Sequence, residues 1–214
     1  MRAVQCIVFD AEGVVIHTEQ LWDAGQQIFL GRRGIPYDRA ATKHLMVGRS
    51  LADGVKVLQN HFQFPGDPDE LAAERRAIMA ELFENEVTFV PGFEDFFKRC
   101  ASRGLQLCVA TALEPGLFVA VDRRLNIREK FGGRVFFTAD VEQRPKSDPA
   151  IFLYAADQMG RLPHECLVIE DSPAGVTGAR AAGMRCVALT TTFAADRLRE
   201  ADEIYDAFVN IPLL

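Results

Sequence analysis

The sequence lacks any apolar run long enough to cross a membrane. A transmembrane helix needs about 20 consecutive apolar residues, and no run in the 214-residue chain approaches that length. A signal-peptide pattern is missing as well, because Met1 and Arg2 lead directly into a predicted strand. These two absences predict a cytoplasmic protein with no membrane partner.

Cysteine and positive charge are also scarce. The five cysteines are scattered and form no Cys-x-x-Cys pair, so neither a zinc site nor a disulfide framework is indicated, and a reducing cytoplasm is the expected compartment. The 24 lysines and arginines are outnumbered by 30 aspartates and glutamates, which gives a formal charge of −6. This excess of negative charge argues against nucleic acid as a partner.

What is present is the composition of an ordinary globular protein, with 49% hydrophobic and 25% charged residues. Short apolar runs rich in β-forming residues predict buried strands. They cover residues 6–9, 105–110, 135–138, 166–169 and 186–189. Predicted helices separate the later strands, and this alternation implies right-handed βαβ units. We therefore predict an α/β fold with a Rossmann-like parallel sheet.

The first strand is followed by a helical pattern only. Helices are predicted at residues 19–30, 38–45, 51–62 and 69–84. Ser50 is the predicted N-cap of the third helix, with Asp53 three residues later. A helical block placed directly after the first strand predicts an all-helical cap domain inserted into the core. We assign residues 17–86 to the cap and residues 1–16 and 87–214 to the α/β core, with hinges near 15–18 and 86–91.

Acidic residues follow two of the predicted strands. Asp10 and Glu12 come after the first strand, and Glu170 and Asp171 follow the fourth. The carboxyl ends of strands meet in one crevice of a doubly wound sheet. Clustered carboxylates repel one another unless a proton or a cation intervenes, and a set of oxygen ligands favours Mg2+. The pattern predicts a site where a carboxylate nucleophile receives a phosphoryl group.

Two further residues belong to the same set. Thr111 closes the second core strand, and Lys146 lies in the loop before a helix. Each has an ordinary alternative when taken alone, since Thr111 suits a turn and Lys146 suits a solvated surface. Together with the acids, a hydroxyl and an ammonium group suit the binding of phosphate oxygens.

The motifs stand in a fixed order along the chain. They are FDAEGV at 9–14 with TE at 18–19, VAT at 109–111, KSDPAIF at 146–152, VIEDSPAG at 168–175 and AAGM at 181–184. With these motifs the sequence resembles the haloacid dehalogenase-like hydrolase superfamily over nearly its whole length. The likeness is to phosphatases with a helical cap after the first strand, of the phosphoglycolate phosphatase and β-phosphoglucomutase types.

The resemblance implies a catalytic role for four residues. Asp10 would attack phosphorus and form an aspartyl-phosphate, and Glu12 would protonate the leaving oxygen and then activate water. Thr111 and Lys146 would hold the phosphoryl group, and Lys146 would also offset the charge on Asp10.

The resemblance also implies a Mg2+ cofactor and a substrate surface. Asp10, Asp171 and the backbone carbonyl of Glu12 would hold the metal, with Glu170 beside them. Ala112, next to Thr111, would contact the substrate.

The cap turn that contains Gly48 and Arg49 would face the crevice, and the Arg49 guanidinium suits a second anionic group. Trp22, Gln26 and His44 are further candidates, although one sequence does not determine which way their helices face.

Two positions depart from the family pattern. Glu12 stands where aspartate is usual, and its extra methylene moves the carboxylate by about 1 Å, a displacement that can cost on the order of a hundredfold in rate. We therefore expect an active enzyme whose acid/base group is slow or repositioned. His17 stands where aspartate is common, and it either meets the substrate or is a hinge residue.

The resemblance implies a Mg2+-dependent phosphatase for a small phosphate monoester, such as a sugar or organic-acid phosphate. We also expect a monomer. Two alternatives stay open: a phosphomutase of the β-phosphoglucomutase type, and a phosphate-binding protein with weakened catalysis. A dehalogenase is disfavoured, because such relatives have no acid two residues after the nucleophile.

Overall fold

The computed structural model describes residues 4–46 and 49–212, apart from the side chains of residues 43 and 44. The turn residue Gly48 and the side chain of His44 therefore lie outside the described part. The strands are β1 (Cys6–Phe9), β2 (Ile16–His17), β3 (Thr88–Phe89), β4 (Gln106–Thr111), β5 (Val135–Phe137), β6 (Cys166–Glu170), β7 (Arg185–Leu189) and β8 (Glu203–Tyr205). The α-helices are α1 (Glu19–Gly31), α2 (Arg39–Met46), α3 (Leu51–Phe62), α4 (Pro68–Glu86), α5 (Phe93–Ser102), α6 (Pro115–Leu125), α7 (Ile127–Lys130), α8 (Ala150–Gln158) and α9 (Pro173–Ala181).

A six-stranded sheet in the order β5-β4-β1-β6-β7-β8 forms the core. All of its strand pairs are parallel, which confirms the predicted Rossmann-like sheet. In the register, Phe9 at the end of β1 lies between Val109 of β4 and Ile169 of β6. The residues that follow these three strands are therefore neighbours at the carboxyl edge of the sheet.

The end of β1 is anchored by aromatic packing. Successive β1 side chains alternate between two cores, with Phe9 in one and Val8 in the other. The Phe9 ring makes edge contacts with Phe93, Phe96 and Phe131, at centroid distances of 5.7, 6.2 and 5.9 Å. A ring fixed on three sides holds the backbone of the next residue, Asp10, in one place.

The cap helices α1–α4 follow β1 and are joined to the core by a small ribbon. In this ribbon β2 and β3 are antiparallel, with Ile16 opposite Phe89 and His17 opposite Thr88. The predicted all-helical stretch was thus wrong at its first residue, His17, because a two-residue strand carries no sequence periodicity. Strand β8 and helix α7 were not predicted either, because three or four residues are also too few to show a periodic pattern.

Two predictions about the helices can be compared with the structure: the N-cap of α3 and the lack of a membrane-spanning segment. Ser50 caps α3 as predicted, with the Asp53 N–H donating to its Oγ at 3.1 Å. Within the described ranges, none of the helices has the length and apolarity that crossing a bilayer requires.

Candidate active site

Asp10 is the first residue beyond β1 and is tied to the neighbouring strand. Its N–H donates to the Ile169 carbonyl at 2.9 Å, and the Ala11 N–H donates to its Oδ1 at 2.6 Å. The side chain is buried. The Asp10 carboxylate is therefore presented in a single orientation at the carboxyl edge of the sheet.

Glu170 ends β6 and is completely buried beside Asp10. Its Oε2 accepts the Asp171 and Ser172 N–H groups at 3.0 Å each and the Ser172 hydroxyl at 2.9 Å. Gly175 is required next to it, since a Cβ there would lie 1.9 Å from Oε1. The amide groups at the start of α9 thus hold one oxygen of Glu170 and leave the other facing the crevice.

Lys146 reaches this crevice from the loop before α8. Its Nζ lies 2.5 Å from Glu170 Oε1 and forms a second ion pair with Asp10 Oδ1. Burial would lower the pKa of Lys146, but the two carboxylates outweigh burial and raise it. Gly178 lets the Lys146 backbone approach, because a Cβ there would lie 2.0 Å from its carbonyl oxygen.

Three acids share this crevice with the one ammonium group. Carboxylate oxygens of Asp10, Glu170 and Asp171 lie within 4.8 Å of one another. Burial raises the pKa of Asp10 to about 7, against the opposing effect of Lys146 and with a further rise from Glu170. Burial raises the pKa of Asp171 as well, followed by the charges of Asp10 and Glu170. The residues leave uncompensated negative charge and offer oxygen ligands only, which fits a hard divalent cation.

Asp171 is enclosed by Gly13 of the first motif and by Thr191, which was not singled out from the sequence. The Thr191 hydroxyl donates to the Gly13 carbonyl at 2.5 Å and lies 3.5 Å from Asp171 Oδ2. A Cβ on Gly13, whose φ is +72°, would lie 1.7 Å from the same oxygen. Thr191 follows the end of β7, and this position at a strand end was the available signal.

Glu12 stands apart from the three clustered acids. Its Oε1 accepts the indole N–H of Trp22, on α1 of the cap, at 2.6 Å. Burial raises the pKa of Glu12, although the hydrogen bonds from Trp22 and Thr18 oppose this effect. The carboxylate therefore lies between Asp10 and the cap, and burial there raises its pKa.

A cavity of about 250 Å³ opens beyond Glu12 into the cap. The predicted residues Trp22, Gln26 and Arg49 line it. Arg75 of α4 also lines it and was not singled out from the sequence. The available signal was its phase: Arg75 lies four residues from both Leu71 and Met79, in the buried stripe of α4.

The remaining predicted residues are placed as follows. Thr111 is buried at the end of β4, where its Oγ1 accepts the Leu113 N–H at 3.0 Å, and Ala112 beside it is exposed. The exposed Arg49 donates from Nε to the Leu45 carbonyl at 2.9 Å. His17 is half-buried in β2 and is not among the residues that line the cavity.

Known proteins resemble this chain over most of its length. A profile of haloacid dehalogenase-like hydrolases matches residues 4–183. The probable pseudouridine-5'-phosphatase of Drosophila melanogaster is 29% identical over 191 residues, covering 87% of this chain and 82% of its own. Hexitol phosphatase A of Escherichia coli is 30% identical over 207 residues, covering 95% and 91%. The crystal structure of CbbY from Rhodobacter sphaeroides in complex with phosphate has the same fold, with a TM-score of 0.80, 22% identity, and coverage of 97% and 96%.

Proposed function

Because the chain belongs to the haloacid dehalogenase-like hydrolase family, we propose that it is a Mg2+-dependent phosphatase that uses Asp10 as its nucleophile. The enzyme class, a phosphoric monoester hydrolase, agrees with the relatives that are named as phosphatases. The observation that carries the proposal is the buried group of Asp10, Glu170 and Asp171 with Lys146 among them. The substrate is a small phosphate monoester, such as a sugar or organic-acid phosphate.

In the first step, an Asp10 oxygen bonds to phosphorus while the bond between phosphorus and the leaving oxygen breaks. Lys146 Nζ and Thr111 Oγ1 hold the phosphoryl oxygens, as their burial at the same edge of the sheet supports. Glu12 gives its proton to the leaving oxygen. The raised pKa of Glu12 favours the protonated form that this step requires.

In the second step, water attacks the phosphorus of the aspartyl-phosphate. The water gives a proton to the Glu12 carboxylate, the bond between phosphorus and Asp10 breaks, and free phosphate leaves. The Trp22 N–H at 2.6 Å holds the Glu12 side chain in position for both steps. A longer acid than the usual aspartate is therefore supported from the cap, which compensates for its additional freedom.

The residues present fit the cation. Asp10 and Asp171 would hold it together with the Glu12 backbone carbonyl, and Glu170 would contribute from beside them. When bound, the cation supplies positive charge that balances the acids and the phosphate.

The cap supplies the surface for the leaving group. We assign residues 17–86 to it, with the paired strands β2 and β3 as its connection to the core. Arg49 is the proposed contact for a polar group of the leaving alcohol, since it lines the cavity beyond Glu12. Ala112 would border the substrate from the core side, and His17 in the ribbon would act at the hinge. We further propose that the enzyme is a cytoplasmic monomer.

A panel of phosphate monoesters, assayed for free phosphate with Mg2+ and with a chelator, tests this function. We expect release that needs the cation and that falls on the order of 10⁴-fold or more in Asp10→Asn. Free phosphate as the product would exclude the phosphomutase alternative, whereas an isomerised phosphate ester would establish it. Equal release from Asp10→Asn and the natural protein would refute the proposed nucleophile.

The role of Glu12 is tested separately from that of Asp10. Replacing Glu12 with Gln removes the proton but retains the shape, so kcat should fall by about 10²- to 10⁴-fold. Glu12→Asp restores the usual family residue and should preserve or raise turnover. A complete loss in Glu12→Asp would show that the cap depends on the longer side chain that reaches Trp22.

A further inference from the structure

Gln26 on α1 has a buried side-chain amide that forms no hydrogen bond within the described ranges. Its side chain is 4% exposed, and neither Oε1 nor Nε2 has a hydrogen-bond partner among the described residues. It lines the cavity beyond Glu12. A buried amide without hydrogen-bond partners is destabilising, so its retention at this wall needs an explanation.

Arg75 on α4 is the second such group at the same cavity. It is 5% exposed, and no carboxylate within the described part of the chain pairs with its guanidinium. Its Nη1 has only a long contact of 3.4 Å to the Leu51 carbonyl, and its Nε has no partner there. Burial without a counter-charge lowers the pKa of Arg75 to about 10. Gly54 leaves room for the guanidinium, because a Cβ there would lie 2.8 Å from Nη1.

The acids of this cavity are already engaged elsewhere. Asp23 accepts the Tyr37 hydroxyl at 2.5 Å and pairs with Arg39 at 2.6 Å. Glu19 pairs with Arg39 at 2.9 Å. Glu12 is bound by Trp22, as described above. The positive charge of Arg75 is therefore not balanced by the cavity's own acids.

We propose that Arg75 and Gln26 bind a second anionic group on the leaving part of the substrate. The substrate class is a phosphate monoester that carries a carboxylate or another phosphate. The volume of about 250 Å³ is below the roughly 300–1,000 Å³ of pockets for drug-sized ligands, so the leaving group is compact. This proposal rests on the proposed phosphatase function and adds Arg75 to Arg49 as a residue that determines specificity.

Two matched pairs of esters test the proposal by kcat/KM. 3-Phosphoglycerate and glycerol 3-phosphate differ in a carboxylate, and fructose 1,6-bisphosphate and fructose 1-phosphate differ in a phosphate. The natural protein should prefer the more anionic member of at least one pair by roughly 10- to 100-fold, the effect of one or two hydrogen bonds to a charged group. The pair that shows the preference identifies the anion.

Variants assign the preference to the two residues. Arg75→Met should remove it, and Arg75→Lys should restore part of it. Gln26→Glu should also weaken it, because a new carboxylate in the same cavity would repel the substrate anion. Arg32→Met is the control, because Arg32 also belongs to the cap but pairs with Glu74 outside the cavity; its ratio should equal that of the natural protein.

A stability measurement separates binding from a structural role. Removing a buried guanidinium that has no counter-charge should raise the unfolding midpoint of Arg75→Met, whereas loss of a structural residue would lower it. A lower midpoint together with an equal loss on both esters of each pair would overturn the proposal.

Failure of the two proposals can be told apart by binding. Calorimetry on Asp10→Asn needs no turnover, and it should show tighter binding of 3-phosphoglycerate or of the bisphosphate than of its partner. If the natural protein releases no phosphate but this preference is present, the phosphatase function fails and the anion site stands. If phosphate is released but neither pair is distinguished by rate or by binding, the anion site fails.

Discussion

The core wall and the cap wall of the active site differ in how completely their buried polar groups are paired. On the core wall, Glu170 accepts three hydrogen bonds through one oxygen, and Lys146 lies between two carboxylates. On the cap wall, Arg75 and Gln26 are buried without comparable partners in the described chain. Under the proposed function, the core wall would serve the step common to all phosphate esters, and the cap wall would bind one particular leaving alcohol.

Two adjacent residues of α4 show the same contrast within the cap. Glu74 faces outward and pairs with Arg32 at 2.9 Å and with Arg33, whereas Arg75 faces the cavity. The Arg33 guanidinium also lies 3.9 Å from the centre of the Phe29 ring. At this point on the outer face of the cap the charges are matched, whereas at the cavity the neighbouring Arg75 is not paired with any carboxylate among the described residues.

The largest expected effect comes from removing the ammonium group of Lys146 from the core wall. Lys146→Met would leave Asp10 and Glu170 buried without it, and the free energy of unfolding without added metal should fall by about 3–5 kcal/mol. Denaturant unfolding in a chelator measures this change. Lys98→Met is the matched control, because Lys98 pairs with Asp95 at the surface and should lose about 1 kcal/mol or less. Equal losses would mean that the core wall is not the more tightly paired region.

A smaller effect is expected from crowding the loop that positions Lys146. A Cβ at Gly178 would lie 2.0 Å from the Lys146 carbonyl oxygen and 3.0 Å from the Phe152 ring. Gly178→Ala should therefore lower the free energy of unfolding by about 1–3 kcal/mol and also reduce turnover. Gly116→Ala, in a helix with no atom near the new Cβ, should raise stability by up to about 1 kcal/mol. Similar results for both variants would show that the loop containing Lys146 shifts to make room for the new Cβ.

The smallest effect concerns the matched outer face of the cap. Hydrogen bonds from Arg33 lower the pKa of Glu74, against the effect of burial and with further help from Arg32. A lowered folded-state pKa contributes stability above the unfolded value of about 4.3, and this stability is lost as pH falls through the folded value. Glu74→Gln should therefore cost up to about 1 kcal/mol at pH 7 and less at pH 3, which lies below the unfolded value. An equal cost at both values would show that packing of the side chain, not its charge, stabilises this face.

The fold and the core wall were largely predictable because their signals are local. Buried strands such as residues 166–169 read as apolar runs, and the acids stand where those runs end. The register that places Asp10 beside Glu170 follows from a general property of parallel sheets. The cap wall was predictable only in part: Arg49 was proposed from resemblance, whereas Arg75 was missed, because its lack of a counter-charge depends on the packing of α1, α3 and α4.

By itself, the amino-acid sequence determined which acids follow β1 and end β6, and so which carboxylates meet in one crevice. Only the tertiary structure decided where the longer side chain of Glu12 goes, namely to Trp22 on the cap, and which buried groups stay unpaired. The physical reason is that a buried strand can be recognised from a few neighbouring residues in the sequence. Charge compensation inside a cavity, in contrast, depends on side chains that the chain brings together from distant helices.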